Sequence, residues 1–266
     1  MSTLHQSRRQ FYQTAFGTLA ASGAISSAEL SAEAPSVTKP LQPLRPTTAR
    51  AALDRLIAGN RRFVEGRPIR PDADTEWRQR LLEGQHPFAT IVCCSDSRVP
   101  PELLFDEGFG DLFVVRVAGN VVGPDVIGSI EYGVDHTSTP LVLVMGHEGC
   151  GAVCAALESI KDEPDEIKTL VRKIQRGIAD VPSDLPPKER IHQAVITNVQ
   201  NSVSQLKQVP DLQQAIASGK TQIIGGVYEM HTGAFRLLDD SPIKIAHRTN
   251  DDSARTDPTC DCEKPE

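Results

Sequence analysis

Four runs of valine, isoleucine, leucine and phenylalanine, at residues 87–94, 111–118, 140–145 and 221–228, are apolar continuously rather than at every second position. Successive side chains of a strand point to opposite faces, so a strand with one wet face alternates. Continuous apolarity predicts strands covered on both faces, the situation of a parallel sheet between helices. Helical spacing fills the intervals. Leu53, Leu56, Ile57 and Phe63 repeat at helical steps within residues 47–63, where Thr47 or Thr48 can cap. Residues 130–136 read as the end of a helix. Ile167, Leu170, Val171 and Ile174 mark an amphipathic helix opened by Pro164-Asp165, and Ile191, Val195, Val199, Val203 and Leu206 mark a longer one across residues 188–208. The alternation predicts an α/β fold, a mainly parallel β-sheet flanked by helices.

Two of the runs end in potential metal ligands. Cys94 closes the first and His147 follows the third, leading into Glu148-Gly149-Cys150-Gly151-Ala152, which reads as a strand passing through a tight turn into a helix. Open α/β sheets build their sites at the carboxyl ends of strands, and one helical turn between His147 and Cys150 would aim both at one point. Any one of these residues alone reads as a buried histidine or an inert thiol. Together they make the Cys2His set of a catalytic zinc with its fourth position open, a structural zinc being the competing reading. Asp96 and Arg98 favour catalysis. Asp96 stands close enough to Cys94 to ligate the metal or to accept a hydrogen bond from its water, and Arg98 can grip the carboxylate through two parallel hydrogen bonds. As a purely structural pair they would fasten the loop before Pro100-Pro101.

The run Cys94-Ser95-Asp96-Ser97-Arg98-Val99-Pro100-Pro101-Glu102, then Arg116-Val117-Ala118-Gly119-Asn120, Ile130-Glu131-Tyr132-Gly133-Val134 and Gly146-His147-Glu148-Gly149-Cys150-Gly151-Ala152, resembles the β-class carbonic anhydrases. The resemblance covers about residues 47–240 in order and spacing. It implies one zinc ion per subunit held by Cys94, His147 and Cys150. The reaction implied is reversible hydration of carbon dioxide to bicarbonate and a proton through zinc-bound hydroxide, oriented by Asp96 and Arg98. It further implies a homodimer as the minimum unit, with tetramer or higher left open, and an N-terminal helical arm packed on the partner subunit. Gln85 matches a glutamine that hydrogen-bonds substrate or product, Tyr132 an aromatic lining the neighbouring subunit's cleft, and Gly151 a backbone amide close to the metal. Val121 and Tyr132 would line a narrow pocket suited to a small apolar molecule, and Glu148 and His231 are candidate proton shuttles. Glu148 stands where the family often has serine. Ile91 and Cys93 replace the tryptophan and glycine of an inhibitory bicarbonate pocket in some bacterial relatives, so that pocket is expected to be absent. The same zinc chemistry would also suit hydrolysis of carbonyl sulfide or carbon disulfide. A non-enzymatic zinc or redox module would leave Asp96, Arg98 and Gln85 without a shared purpose.

The chain ends carry different signals. Ser7-Arg8-Arg9-Gln10-Phe11 precedes a mildly apolar stretch, residues 12–25, too short for a membrane span. It resembles a twin-arginine export signal, with Tyr12 and Gln13 departing from the usual pattern; a disordered or partner-packing N-terminal arm is the alternative. The expected organisation is an export signal at residues 1–34, an extended linker at 35–46, one catalytic domain at 47–248 and an acidic tail at 249–266. Export points to the periplasm or cell envelope, or to a thylakoid lumen in a source that has one. Export of folded cargo would let zinc enter before the thiols meet an oxidising compartment. A formal net charge of -7 offers no footprint for nucleic acid or anionic lipid. A small-molecule substrate and no integral membrane domain are therefore expected. Cys93 and Cys154 read as small core residues, and Cys260 and Cys262 as a thiol pair able to make activity or assembly sensitive to redox state.

Overall fold

The computed structural model describes residues 45–71, 74–158 and 160–238. Each of the four apolar runs becomes a strand: β1 (Ala89–Cys93), β2 (Leu112–Arg116), β3 (Leu141–His147) and β4 (Gln222–Glu229). They pair in parallel, β1 between β2 and β3, and β3 beside β4. Every residue of β1 and β3 is buried, as continuous apolarity requires. A fifth strand, β5 (Ala234–Leu237), returns antiparallel to β4 and completes the order β2-β1-β3-β4-β5. It was not anticipated: four partly exposed residues behind a turn at Gly233 are too short a run to show a period.

The helices are α1 (Ala49–Val64), α2 (Thr75–Arg80), α3 (Pro101–Leu104), α4 (Pro124–Asp135), α5 (Gly151–Ala156), α6 (Asp165–Gly177), α7 (Pro187–Lys207) and α8 (Pro210–Ala217). Of the two candidate caps for α1 it is Thr48 that serves, its hydroxyl accepting from the Ala51 N–H at 3.2 Å. Proline opens α3, α4, α7 and α8, where its missing N–H costs nothing and its fixed φ already suits a helix. α4 packs on β1 and β2, and α7 on β3 and β4. Gly133 of α4 sits against Thr90 and Phe113, while Val199 of α7 sits against Gly146 and Gly225. Thr90 is in register with Val142, two pleats before Gly146 on the same side, so α4 and α7 cover one face. The stripe Val195, Val199, Val203 and Leu206 that defined α7 in the sequence is buried there. Each such side chain contributes about 1.5–3 kcal/mol. A Cβ on Gly146 or Gly225 would lie 2.6 or 2.8 Å from a Val199 methyl, so glycine lets α7 close onto the sheet directly before His147.

α1 is held from two directions. The buried Asn60 donates to the carbonyls of Leu104 at 3.1 Å and Gly233 at 2.9 Å and accepts from the Phe235 N–H at 2.8 Å, tying the helix to α3 and β5. One residue earlier, a Cβ on Gly59 would stand 1.7 Å from the Phe105 carbonyl oxygen. Alanine normally improves a helix by about 1 kcal/mol over glycine, but here it would have to push a backbone carbonyl aside. Gly59→Ala is therefore expected to destabilise the fold by about 1–3 kcal/mol, read as a lowered urea midpoint. An unchanged or raised midpoint would show that α1 and α3 are not so tightly seated.

The proposed export signal, nearly all of the linker, and the tail with Cys260 and Cys262 lie outside the described residues. Among the described residues, no helix is long and apolar enough to cross a membrane. Cys154 is buried, as expected of a core residue, and is disulfide-bonded. Burial was legible from its helical position, whereas disulfide connectivity is not readable from spacing.

Candidate metal centre

The chain leaves β1 toward β2 on one side and leaves its neighbour β3 toward β4 on the other, so the connections from these two adjacent strands run in opposite directions. A crevice opens at such a switch point, beyond the carboxyl ends of the two strands. Cys94 follows β1 directly and His147 ends β3, so both ligand candidates stand at this crevice. Cys150 joins them by a route other than the expected helical turn. His147 is still in the strand; the chain reverses through Glu148-Gly149, with Gly149 left-handed at φ +61°, and Cys150 caps α5.

The donor atoms of Cys94, His147 and Cys150 lie within 4.8 Å of one another, and all three residues are buried. The two sulfurs are 3.9 Å apart; two thiolates each about 2.3 Å from a tetrahedral ion would stand about 3.8 Å apart. His147 Nδ1 is 2.9 Å from the Glu148 carbonyl oxygen, which can only accept, so Nδ1 carries the proton and Nε2 presents its lone pair to the cluster. Among the described residues that buried Nε2 has no hydrogen-bond partner. An orphaned imidazole nitrogen facing two sulfurs fits a zinc ion, whose donor chemistry it completes.

The sulfurs differ in environment. Cys94 Sγ accepts from the N–H groups of Gly119 at 3.3 Å and Asp96 at 3.4 Å and from the Cys150 thiol. The Cys150 hydrogen bond above all holds the Cys94 thiol well below its ordinary value, while donation to Cys94, reinforced by burial, pushes Cys150 up. The neighbouring Cys93 belongs to the core: burial pushes its thiol up to about 12, so it stays neutral.

Asp96 and Arg98 form a closed pair at the rim. Asp96 Oδ1 accepts from the Arg98 backbone N–H at 3.0 Å and from Nε at 2.9 Å, and Oδ2 accepts from Nη2 at 2.7 Å. Oδ2 also lies 3.9 Å from His147 Nε2, on the side of the cluster. The Arg98 guanidinium holds the Asp96 carboxyl well below the usual carboxylate range. Arg116, which sequence reasoning missed, fixes the loop beneath them by donating to the carbonyls of Cys94 at 3.0 Å and Asp96 at 2.5 Å. The sequence showed it as a charge at the end of an apolar run and as the first residue of a motif, without a role; it stands in register with Cys93. Gly119 was likewise visible only as part of a motif.

The other candidates are more dispersed. Gly151 is the first residue of α5, with open space where a Cβ would stand. Val121 is buried just beyond the Gly119-Asn120 turn. Gln85 is exposed in the segment before β1, and Tyr132 on α4 is 48% exposed, its ring stacked on Phe113 at 6.0 Å. The fold does not bring these two to the Cys94, His147 and Cys150 cluster of their own chain. Glu148 turns away to His231, with Oε2 2.7 Å from Nδ1; burial opposes its ionisation, but the His231 bonds win and hold its carboxyl below the ordinary value.

The family model described as carbonic anhydrase matches residues 89–235. A carbonic anhydrase of Mycolicibacterium smegmatis is 39% identical over 192 residues, which are 70% of this chain and 92% of that protein. Carbonic anhydrase 2 of Mycobacterium tuberculosis is 38% identical over 198 residues, 71% of this chain and 92% of that protein. Among solved structures, the β-carbonic anhydrase CcaA superposes with a TM-score of 0.59 at 28% identity, over 70% of this chain and 95% of that one. A Coccomyxa β-carbonic anhydrase in complex with acetazolamide gives a TM-score of 0.57 at 28% identity, over 70% and 86% of the two chains.

Proposed function

Since this chain belongs to the β-class carbonic anhydrases, zinc enzymes that hydrate carbon dioxide, we propose that Asp96 and Arg98 orient the reaction beside a zinc ion held by Cys94, His147 and Cys150. The observation that carries this reading is the position of Asp96 Oδ2, 3.9 Å from His147 Nε2 and fixed by a guanidinium. Zinc bound by these donors supplies Lewis acidity, which brings the pKa of water toward neutrality. The remaining work belongs to the chain. Asp96, ionised and acceptor-only at neutral pH, takes the O–H of a water at the crevice and so decides where that oxygen's lone pair points. Arg98 occupies both carboxylate oxygens and keeps Asp96 from turning fully onto the metal position. The Gly151 amide, at the start of α5, would face a bound oxygen.

Gln85 and Tyr132 complete the site across a subunit boundary in this reading. Their exposure, and their separation from the cluster of their own chain, support a homodimer as the minimum unit. The Ser7-Arg8-Arg9-Gln10-Phe11 pattern supports export of folded protein to the periplasm or cell envelope, which the N-terminus of the mature enzyme would report.

The test is stopped-flow carbon dioxide hydration on zinc-quantified protein lacking residues 1–34, from about pH 6.5 to 9. Two thiolates donate more charge than imidazoles would, so turnover is expected to rise with pH across that range. A folded, zinc-replete protein inert at every pH, or one hydrolysing carbonyl sulfide instead, would overturn the reading.

A further inference from the structure

α7 carries two buried polar side chains that the reaction does not use. Asn198 and Ser202 are 3% and 2% exposed and lie one turn apart on the face turned to the sheet. Asn198 Nδ2 donates to the Gly119 carbonyl at 2.9 Å. The Ser202 hydroxyl lies 3.3 Å from the Asn120 carbonyl and 2.9 Å from that of Asn198, sharing its one proton between them, and accepts from Asn120 Nδ2 at 3.4 Å. All of these bonds to the sheet side end on two consecutive left-handed residues, Gly119 at φ +65° and Asn120 at φ +45°. Glycine takes this conformation freely and asparagine at a small cost, so the turn needs partners to hold it in place. A Cβ on Gly119 would stand 2.5 Å from Ile174 Cδ1 and 3.1 Å from Ala152 Cβ, so α5 and α6 wedge the turn from the other side. The product of this conformation is one contact: the Gly119 N–H points at Cys94 Sγ, 3.3 Å away.

We infer that Asn198 and Ser202 are positioning residues that clamp the Gly119-Asn120 turn, hold its N–H on Cys94 Sγ, and so set how strongly that thiolate donates to the metal. The inference rests on the zinc reading. An N–H on a thiolate withdraws charge from sulfur; releasing the turn makes the sulfur a stronger donor and loosens its placement. Partners behind metal ligands commonly act in this way.

Cobalt(II) substitution of the full chain reads the sulfur directly, through the thiolate-to-cobalt charge-transfer band, and competition with a chelator reads zinc affinity. Asn198→Leu keeps the volume and removes the donor. It is expected to move the band to longer wavelength and to weaken zinc binding by about 10–100-fold. Ser202→Ala should move both in the same direction by less. Ser202→Thr, which keeps the hydroxyl, and Gln205→Ala, which lines the neighbouring cavity with Asn198 and Ser202, should match the parent. A clamp that serves stability alone would lower the unfolding midpoint without moving the band. Parental spectra and affinity in both Asn198→Leu and Ser202→Ala would overturn the inference, and Ser202→Ala decides alone if Asn198→Leu does not fold. A parent that takes up neither metal would overturn the zinc reading itself.

Discussion

Asp96→Ala is expected to lower kcat/KM for carbon dioxide hydration by about 10²–10⁴-fold, with zinc content and unfolding midpoint close to those of the parent. The small stability effect follows from exposure: Arg98 is more than half exposed, and ion pairs of that kind contribute about 0–1 kcal/mol. The large activity effect follows from geometry. Oδ2 is the Asp96 oxygen held toward His147, 3.9 Å from Nε2, and three hydrogen bonds from Arg98 leave the carboxylate one orientation. Asp96→Asn is expected to be nearly as damaging, because an amide nitrogen must then face either the guanidinium or the water it should accept from. The folded-state pKa of Asp96 is depressed, so whatever stability the pair adds is present above about pH 4, the unfolded value, and is lost as pH falls toward the folded one. Across neutral pH the group is ionised in both states. The rise of activity with pH therefore does not originate in Asp96, and the residual activity of Asp96→Asn should keep that rise. A parental rate in Asp96→Ala would reduce the pair to a fastener of the loop before α3.

The core of this fold was legible because its physics is local and periodic. Runs covered on both faces announced β1 to β4, and a 3.6-residue stripe announced α1, α6 and α7. β3 extends beyond its apolar run because Gly146 and His147 still pair with Val227 and Tyr228 of β4, a cooperation between strands that one strand's composition cannot show. The ligand set was legible as residue types at strand ends. How His147 and Cys150 converge was not, since a left-handed glycine does what a helical turn was expected to do. What escaped entirely is the support behind the ligands. Arg116 reaches carbonyls 20 and 22 residues away, and Asn198 reaches one 79 residues away. Side-chain bonds to distant carbonyls leave no period and no spacing for a sequence to display. Gln85 and Tyr132 stand at the other limit: they entered through resemblance, and their place in catalysis depends on a second subunit.

Stripping the metal with a chelator is expected to take hydration to the uncatalysed rate and to lower the melting temperature, with zinc restoring both and magnesium neither. Thiolate and imidazole donors select zinc over oxygen-seeking magnesium, and a ligand at about 1,000 times its Kd adds about 4 kcal/mol to the state that binds it. The stripped cluster also has its own cost, because His147 Nε2 is then buried beside two sulfurs 3.9 Å apart with no hydrogen-bond partner among the described residues. Proton competition gives the sign of the pH dependence. The hydrogen bond between them holds Cys94 down and pushes Cys150 up, so the pair keeps a thiol proton that metal uptake displaces. Zinc affinity should then rise about tenfold per pH unit, and chelators should strip the enzyme faster in mild acid than in mild base. Affinity independent of pH would mean that the thiol pair does not hold the metal, and full activity after verified metal loss would mean that the cluster is not the catalytic centre.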